Sequence, residues 1–419
     1  MATILLGETR SEFLAIPTLV RFLLDADGNL SLAVKARAMQ LKYFVAADSV
    51  SLLFLPLEQG GLAYAITMPD DPDDWAYVWS TIDSDNEVAA LNAFLDGSPC
   101  SLHLFNEIAI NVASTPVQID GLAVVSRELR AGQHLQKVPP DLQVPQARVV
   151  QGLDALQRGV GKDSSGWRLD VQLSQTWDHA KSWYYSNGRS TTYLSLFDRD
   201  DGAQQEALCL WLTDTFAPEG AYLNPEVTRG EAKEPRELCD VLLTAEGHTF
   251  IIESKALAVL TREKLPTRDD LHDDVVKHII KKGVKQVSGA VRSLRLGYPV
   301  RDHLGNEVSI HREGPMHLII LVPDLTLLSA SDNLGNVFLA RLIQKTDCYV
   351  HLLDPTQLLR VVQAATMIAR RSPGVSEIAA LNWYLIKRVE RALNLDTPDF
   401  DFLLRFDDDD KADATPPSS

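Results

Sequence analysis

The stretch Arg236–Lys255 (Arg-Glu-Leu-Cys-Asp-Val-Leu-Leu-Thr-Ala-Glu-Gly-His-Thr-Phe-Ile-Ile-Glu-Ser-Lys) constrains the fold more than any other part of the chain. Two apolar runs, Val241–Leu243 and Phe250–Ile252, flank Glu246-Gly247, a dipeptide suited to a two-residue hairpin turn. Such a turn sets Asp240 directly opposite Glu253, where Cβ atoms lie roughly 4.5–5.5 Å apart. Lys255, two residues further on, points to the same face as Glu253. Both faces of both strands are apolar near their centres: Leu242 and Ile251 on the carboxylate side, Val241, Leu243, Phe250 and Ile252 on the other. Strands of that kind are buried on both sides, and carboxylates at the ends of buried strands need a partner or a metal. Two readings are open: a divalent-cation site held by Asp240 and Glu253, or a structural ion pair between Lys255 and the acids.

At 419 residues and 45% hydrophobic content the chain has material for two or three domains, each with a full core. No run of about 18 apolar residues suggests a membrane span, and the opening residues have no basic region of a secretory signal. Cys100, Cys209, Cys239 and Cys348 show no Cys-x-x-Cys spacing, which argues against a standard zinc site and fits a reducing cytoplasm. There is no P-loop, no dinucleotide-binding glycine motif and no Gly-x-Ser-x-Gly, so NTPase and serine-hydrolase chemistry are not indicated. A net charge of −17 runs against the basic footprint usual for a nucleic-acid protein; any such contact must come from a local patch.

Residues 1–130 read as an α+β module, with strands at Ser49–Pro56, Gly61–Pro69 and Ser101–Ala113 and helices at Glu12–Leu24 and Asn86–Leu95. Residues 131–195 read as a linker and an aromatic-rich connecting region. Its Trp167, Trp177, Trp183, Tyr184 and Tyr185 suit core packing better than base stacking. Residues 196–400 alternate helix and strand, as a mixed α/β sheet flanked by helices does. Gln204–Phe216 and Asp273–Leu296 have helical spacing, and His317–Pro323 and Cys348–Leu353 read as buried strands. Along the second helix Lys277, Lys281, Lys285 and Arg292 form a basic stripe, either a solvated face or a surface for nucleic acid. Gln286 lies near Ile279 and Ala290, which points it inward. Asp407–Ser419 has the composition of a disordered acidic tail.

Asp240 followed by Glu253-Ser254-Lys255 resembles the motif of the PD-(D/E)XK nuclease superfamily, the restriction-endonuclease-like fold. Cys239 stands where the name-giving proline would be. The resemblance covers roughly residues 196–370. It implies a Mg²⁺- or Mn²⁺-dependent nuclease, with Asp240, Glu253, Lys255 and Gln286 in the catalytic set. Asp240, Glu253 and the Ser254 backbone carbonyl would hold the metal. Glu206, in the first turn of the upstream helix, matches a position that often supplies a further ligand, with Glu226, Glu231, Glu234 and Glu237 as rivals. Ala290 takes the place of a tyrosine found in the recombination-exonuclease branch. The implied substrate is DNA, though nothing in the residues separates the two sugars. A protein partner or a second copy of the chain is also consistent with the family. The alternative expectation is a noncatalytic interaction protein that retains a nuclease-like fold.

Overall fold

A computed structural model of the chain describes residues 5, 7–25, 27–58, 60–69, 76–139, 144–159, 166–174, 176–186, 190–229 and 234–404, with side chains left aside at 185, 186, 190–192, 280 and 281. Glu231 and the acidic tail 407–419 lie outside the described residues. The chain divides into two compact units. The first comprises Met1–Ser182, Ser195–Arg199 and Val259–Arg268; the second comprises Trp183–Leu194, Asp200–Ala258 and Asp269–Ser419. Both mix α and β. Among the described residues no helix is long and apolar enough to cross a membrane.

The first unit runs α1 (Gly7–Ala15), β1 (Leu19–Leu24), β2 (Leu30–Lys35), α2 (Ala38–Ala46), β3 (Ser49–Pro56), β4 (Leu62–Met68), β5 (Ala76–Thr81), α3 (Asp85–Leu95), β6 (Cys100–Phe105), β7 (Asn111–Ile119), α4 (Leu122–Ala131), α5 (Gln146–Arg158), β8 (Trp167–Leu173) and β9 (Asp178–His179). The strands form one sheet in the order β1-β2-β6-β7-β8-β3-β4-β5, with β9 beside β7. Only the β2–β6 pairing is parallel among these. Strand alternation sorts the core: Leu52 and Phe54 of β3 join Phe22, Leu32, Tyr64 and Phe94 on one side. Leu53, between them in sequence, joins Ala63 and Ala65 under Val149, Leu153 and Leu156 of α5.

Three expectations change here. Glu12–Leu24 is not one helix: α1 stops at Ala15, ahead of Pro17, and Leu19–Leu24 is the edge strand β1, buried through its first four residues. Ser101–Ala113 is two strands, because Asn106 closes a turn by accepting the Ile110 amide on its side chain and Ala109 takes a positive φ of 58°. Within 131–195, read as a linker and aromatic-rich connecting region, α5 and β8 belong to the first unit, β8 pairing with both β3 and β7.

The second unit continues with β10 (Ser182–Ser186), β11 (Ser190–Leu194), α6 (Asp201–Thr213), β12 (Ala221–Leu223), β13 (Glu226–Val227), β14 (Arg236–Glu237), β15 (Val241–Ala245), β16 (His248–Ser254), α7 (Arg268–Lys277), α8 (Val284–Arg295), β17 (Val300–Arg301), β18 (His317–Leu321), α9 (Asn336–Thr346), β19 (Tyr349–Leu353), α10 (Pro355–Arg371) and α11 (Glu377–Ala392). Its main sheet has the order β12-β15-β16-β18-β19. The first two pairings are antiparallel and the last two parallel. A small sheet, β14-β13-β17, adjoins it in sequence. β10 and β11 pair as a separate two-stranded sheet. Asp354 caps α10 by accepting the Gln357 amide, with Pro355 in the first turn, as its Asp-Pro start suggests. The helix expected over Asp273–Leu296 is interrupted by a π turn at His278–Gly283 between α7 and α8. Gly283 there lies close to Ile320 of β18: an added Cβ would come within 3.1 Å of its Cγ2.

Candidate metal and phosphodiester site

The hairpin β15–β16 has the register its turn requires. Glu246 and Gly247 both take positive φ, 48° and 81°, the type I′ geometry that matches strand twist. Val241 then opposes Ile252 and Leu243 opposes Phe250. Asp240 sits one residue before β15, opposite Glu253 near the end of β16. β16 is central, flanked by β15 and β18, and Phe250, Ile251 and Ile252 are fully buried. The acids at its end are buried too: Asp240 is 5% and Glu253 1% exposed.

Lys255 closes the arrangement. Its Nζ donates to Glu253 Oε2 at 2.9 Å, to the Ser254 carbonyl at 2.9 Å and, more loosely, to Asp240 Oδ2 at 3.4 Å. Its backbone amide donates to the Leu321 carbonyl at 2.7 Å, extending the parallel ladder past the strand end. Asp240 Oδ2 also accepts the Ser254 amide, and the Asp240 carbonyl accepts the Asn224 amide at 2.8 Å. One ammonium therefore lies among three oxygen donors: two carboxylates and a backbone carbonyl.

More acids approach than one lysine can neutralise. Asn224 Nδ2 donates to Glu206 Oε2 at 3.3 Å, and burial together with the nearby Asp240 charge raises the Glu206 pKa. Glu237, on β14, is pushed up to about 7 by partial desolvation and by its hydrogen bond with Asp240. Glu253 is raised to about 8, by burial first and Asp240 second, against the opposing pull of Lys255. Burial alone would lower Lys255, but Glu253 and Asp240 outweigh it and hold its pKa up. The Cys239 thiol, fully buried and facing these same charges, is driven well above its ordinary value and stays protonated. It is no thiolate nucleophile.

This donor set suits a hard divalent cation: all-oxygen ligands, a surplus of carboxylate charge, and burial that makes the surplus costly. Among the described residues, however, no group of three or more His, Cys, Asp or Glu side chains is disposed as it stands to hold a metal. The Lys255 ammonium fills the space between the donors.

The remaining expected residues separate. Glu237, which sequence reasoning set among the rivals, joins the cluster through Asp240. Glu226 contributes its backbone to the small sheet, opposite Glu237, and Glu234 is exposed. Gln286 does not point inward. It is exposed and makes no hydrogen bond to the acids. The reason is the π turn: the extra residue it inserts turns α8 relative to α7, so a wheel drawn from Ile279 misplaces Gln286. The same phase change takes Lys277 off the line of Lys285 and Arg292; all three are exposed. The side chain of Lys281 lies outside the described residues. No protein-family model, curated protein or solved structure matches this chain.

Proposed function

We propose that this chain is a metal-dependent phosphodiester hydrolase, a nuclease acting on DNA, with a restriction-endonuclease-like core. The observation that carries the reading is the ring of donors around the Lys255 ammonium: Asp240 Oδ2, Glu253 Oε2 and the Ser254 carbonyl. The sheet supports it, with an antiparallel pair carrying the acids, then two parallel strands, and helices packed on them. Asp240, Glu253 and the Ser254 carbonyl would hold Mg²⁺ or Mn²⁺, with Glu206 and Glu237 beside them. A bound divalent ion supplies polarisation of the phosphoryl oxygen and a more acidic water. Lys255, released from the carboxylates, presents its ammonium to charge developing on the phosphate. Glu237, with a pKa near neutrality, can hold or release a proton at its carboxyl.

The test is cleavage of plasmid and single-stranded DNA with Mg²⁺, Mn²⁺ or EDTA. Wild type is expected to cut only with metal, and Lys255→Ala and Glu253→Ala to lose at least about a hundredfold in rate. A rise in melting temperature with Mg²⁺ is expected in wild type and absent in Asp240→Ala.

A second reading has one observation in its favour: Lys255 already bridges Asp240 and Glu253 as a closed, buried ion network. On that reading the chain is a noncatalytic interaction protein. No cleavage by wild type, together with a melting temperature indifferent to divalent ions, would select it.

A further inference from the structure

Helix α8 contains no acidic residue, and one of its faces is basic and unpaired among the described residues. Lys285, Ser288, Gly289 and Arg292 follow the i, i+3, i+4, i+7 spacing of a single helix face. Lys285 and Arg292 are exposed, and neither has a hydrogen bond or ion pair among the described residues. Gly289, one turn from each, leaves room for a third basic group. A Cβ added there would sit 3.9 Å from Arg229 Nη2, so the Arg229 guanidinium lies over the glycine. Among the described residues Arg229 Nε is buried without a hydrogen-bond partner, and so is Ser288 Oγ.

Leaving a buried guanidinium N–H unsatisfied costs more than leaving a neutral donor so, and grouping three cations adds repulsion. The chain has 57 acidic residues against 40 basic, yet no described acid pairs with these three. A group of unsatisfied cationic donors fits an anionic oxygen ligand, and Arg with a hydroxyl beside it suits phosphate. The connection to the acids is short. Arg229 follows Val227 of β13, and β13 pairs with β14, which carries Glu237.

We propose that Arg229, Lys285, Ser288 and Arg292 form a saddle over Gly289 that grips a backbone phosphodiester of a polynucleotide. That the polynucleotide gripped here is also the one cleaved rests on the nuclease reading; the grip does not.

The experiment is fluorescence anisotropy of a labelled oligonucleotide with the full chain in EDTA, at stepped salt concentrations. Wild type is compared with Arg229→Gln, Arg229→Lys, Lys285→Gln and Arg292→Gln, and with Lys345→Gln as an exposed control. Each Gln variant of the saddle is expected to bind about tenfold more weakly, with a salt slope shallower by roughly 0.7–0.9. Arg229→Lys should recover part of the loss, and Lys345→Gln should match wild type. Unchanged melting temperatures show that weaker binding is not a folding defect. Equal affinity and equal slope in all proteins overturn the proposal, as does a wild type that binds no oligonucleotide. It is also overturned if inorganic phosphate raises the melting temperature of wild type but not of Arg229→Gln while oligonucleotide affinity is the same in both, since the site would then serve free phosphate. Weakened binding in the saddle variants without metal-dependent cleavage by wild type keeps the grip and removes the nuclease reading. Cleavage with unchanged affinity does the reverse.

Discussion

Glu253 is buried beside Asp240 and Glu237, and Lys255 is the cation that answers all three. Its raised pKa fixes the sign of a pH effect. Between the ordinary value of 4.5 and about 8 the folded protein keeps a proton that the unfolded chain has released. Stability therefore falls as pH rises through that window and levels off above it. Glu253→Gln is expected to flatten this slope and, at pH 9 in EDTA, to raise stability by about 1–2 kcal/mol. Thermal melts across pH check it, and a slope unchanged by the substitution would refute it. Lys255→Ala removes the counter-charge and should cost roughly 3–5 kcal/mol without metal, part of which Mg²⁺ restores if the site binds it. The trio Asp240, Glu253 and Lys255 was legible in the sequence because a two-residue turn leaves only one register. Glu237 was legible only as the rival to Glu206 that lies nearest the motif in sequence. It reaches Asp240 from a two-residue strand paired with β13, and no local pattern announces such a pairing.

Elements were legible where one period ran uninterrupted, as in β3, α3, β18 and β19. They were misread where a break has no Pro or Gly signature, where its cause is remote, or, at Pro17, where an apolar run continues past the proline. The Asn106 turn splits an apolar run without either residue. The π turn before α8 contains Gly283, but it is the close approach of Ile320, distant in sequence, that makes a glycine useful there. Two substitutions test the elements that support the acids. Gly247→Ala forces a side chain onto a φ of 81° in the hairpin turn and is expected to cost about 1–2 kcal/mol. Gly220→Ala places a Cβ 1.9 Å from the Thr244 carbonyl oxygen, so β12 must move off β15, at roughly 3 kcal/mol or more. Urea unfolding measures both, and a Gly220→Ala protein as stable as wild type would contradict the packing described.

At the scale of the whole molecule, a net charge of −17 opposes polyanion binding everywhere except at a local patch. Affinity for DNA is therefore expected to drop steeply with salt, roughly 40-fold between about 50 and 200 mM for three displaced counterions. The division into units was only partly legible, because the chain crosses between them repeatedly. Val259–Arg268 belongs to the first unit, where the Pro266 carbonyl accepts the buried Tyr43 hydroxyl at 2.7 Å. A fragment ending at Arg199 is accordingly expected to melt lower than one with Val259–Arg268 fused back, since it loses that hydrogen bond, at about 0.5–1.5 kcal/mol. Two of the crossings fall beside the acids. Arg199 gives way to Asp200, which caps the helix bearing Glu206. Ala258 gives way to Val259 soon after Lys255. The first unit is thus joined through the chain to the helix that bears Glu206 and to the strand end that bears Lys255, and tension applied along either link arrives at those two residues before it reaches the rest of the sheet.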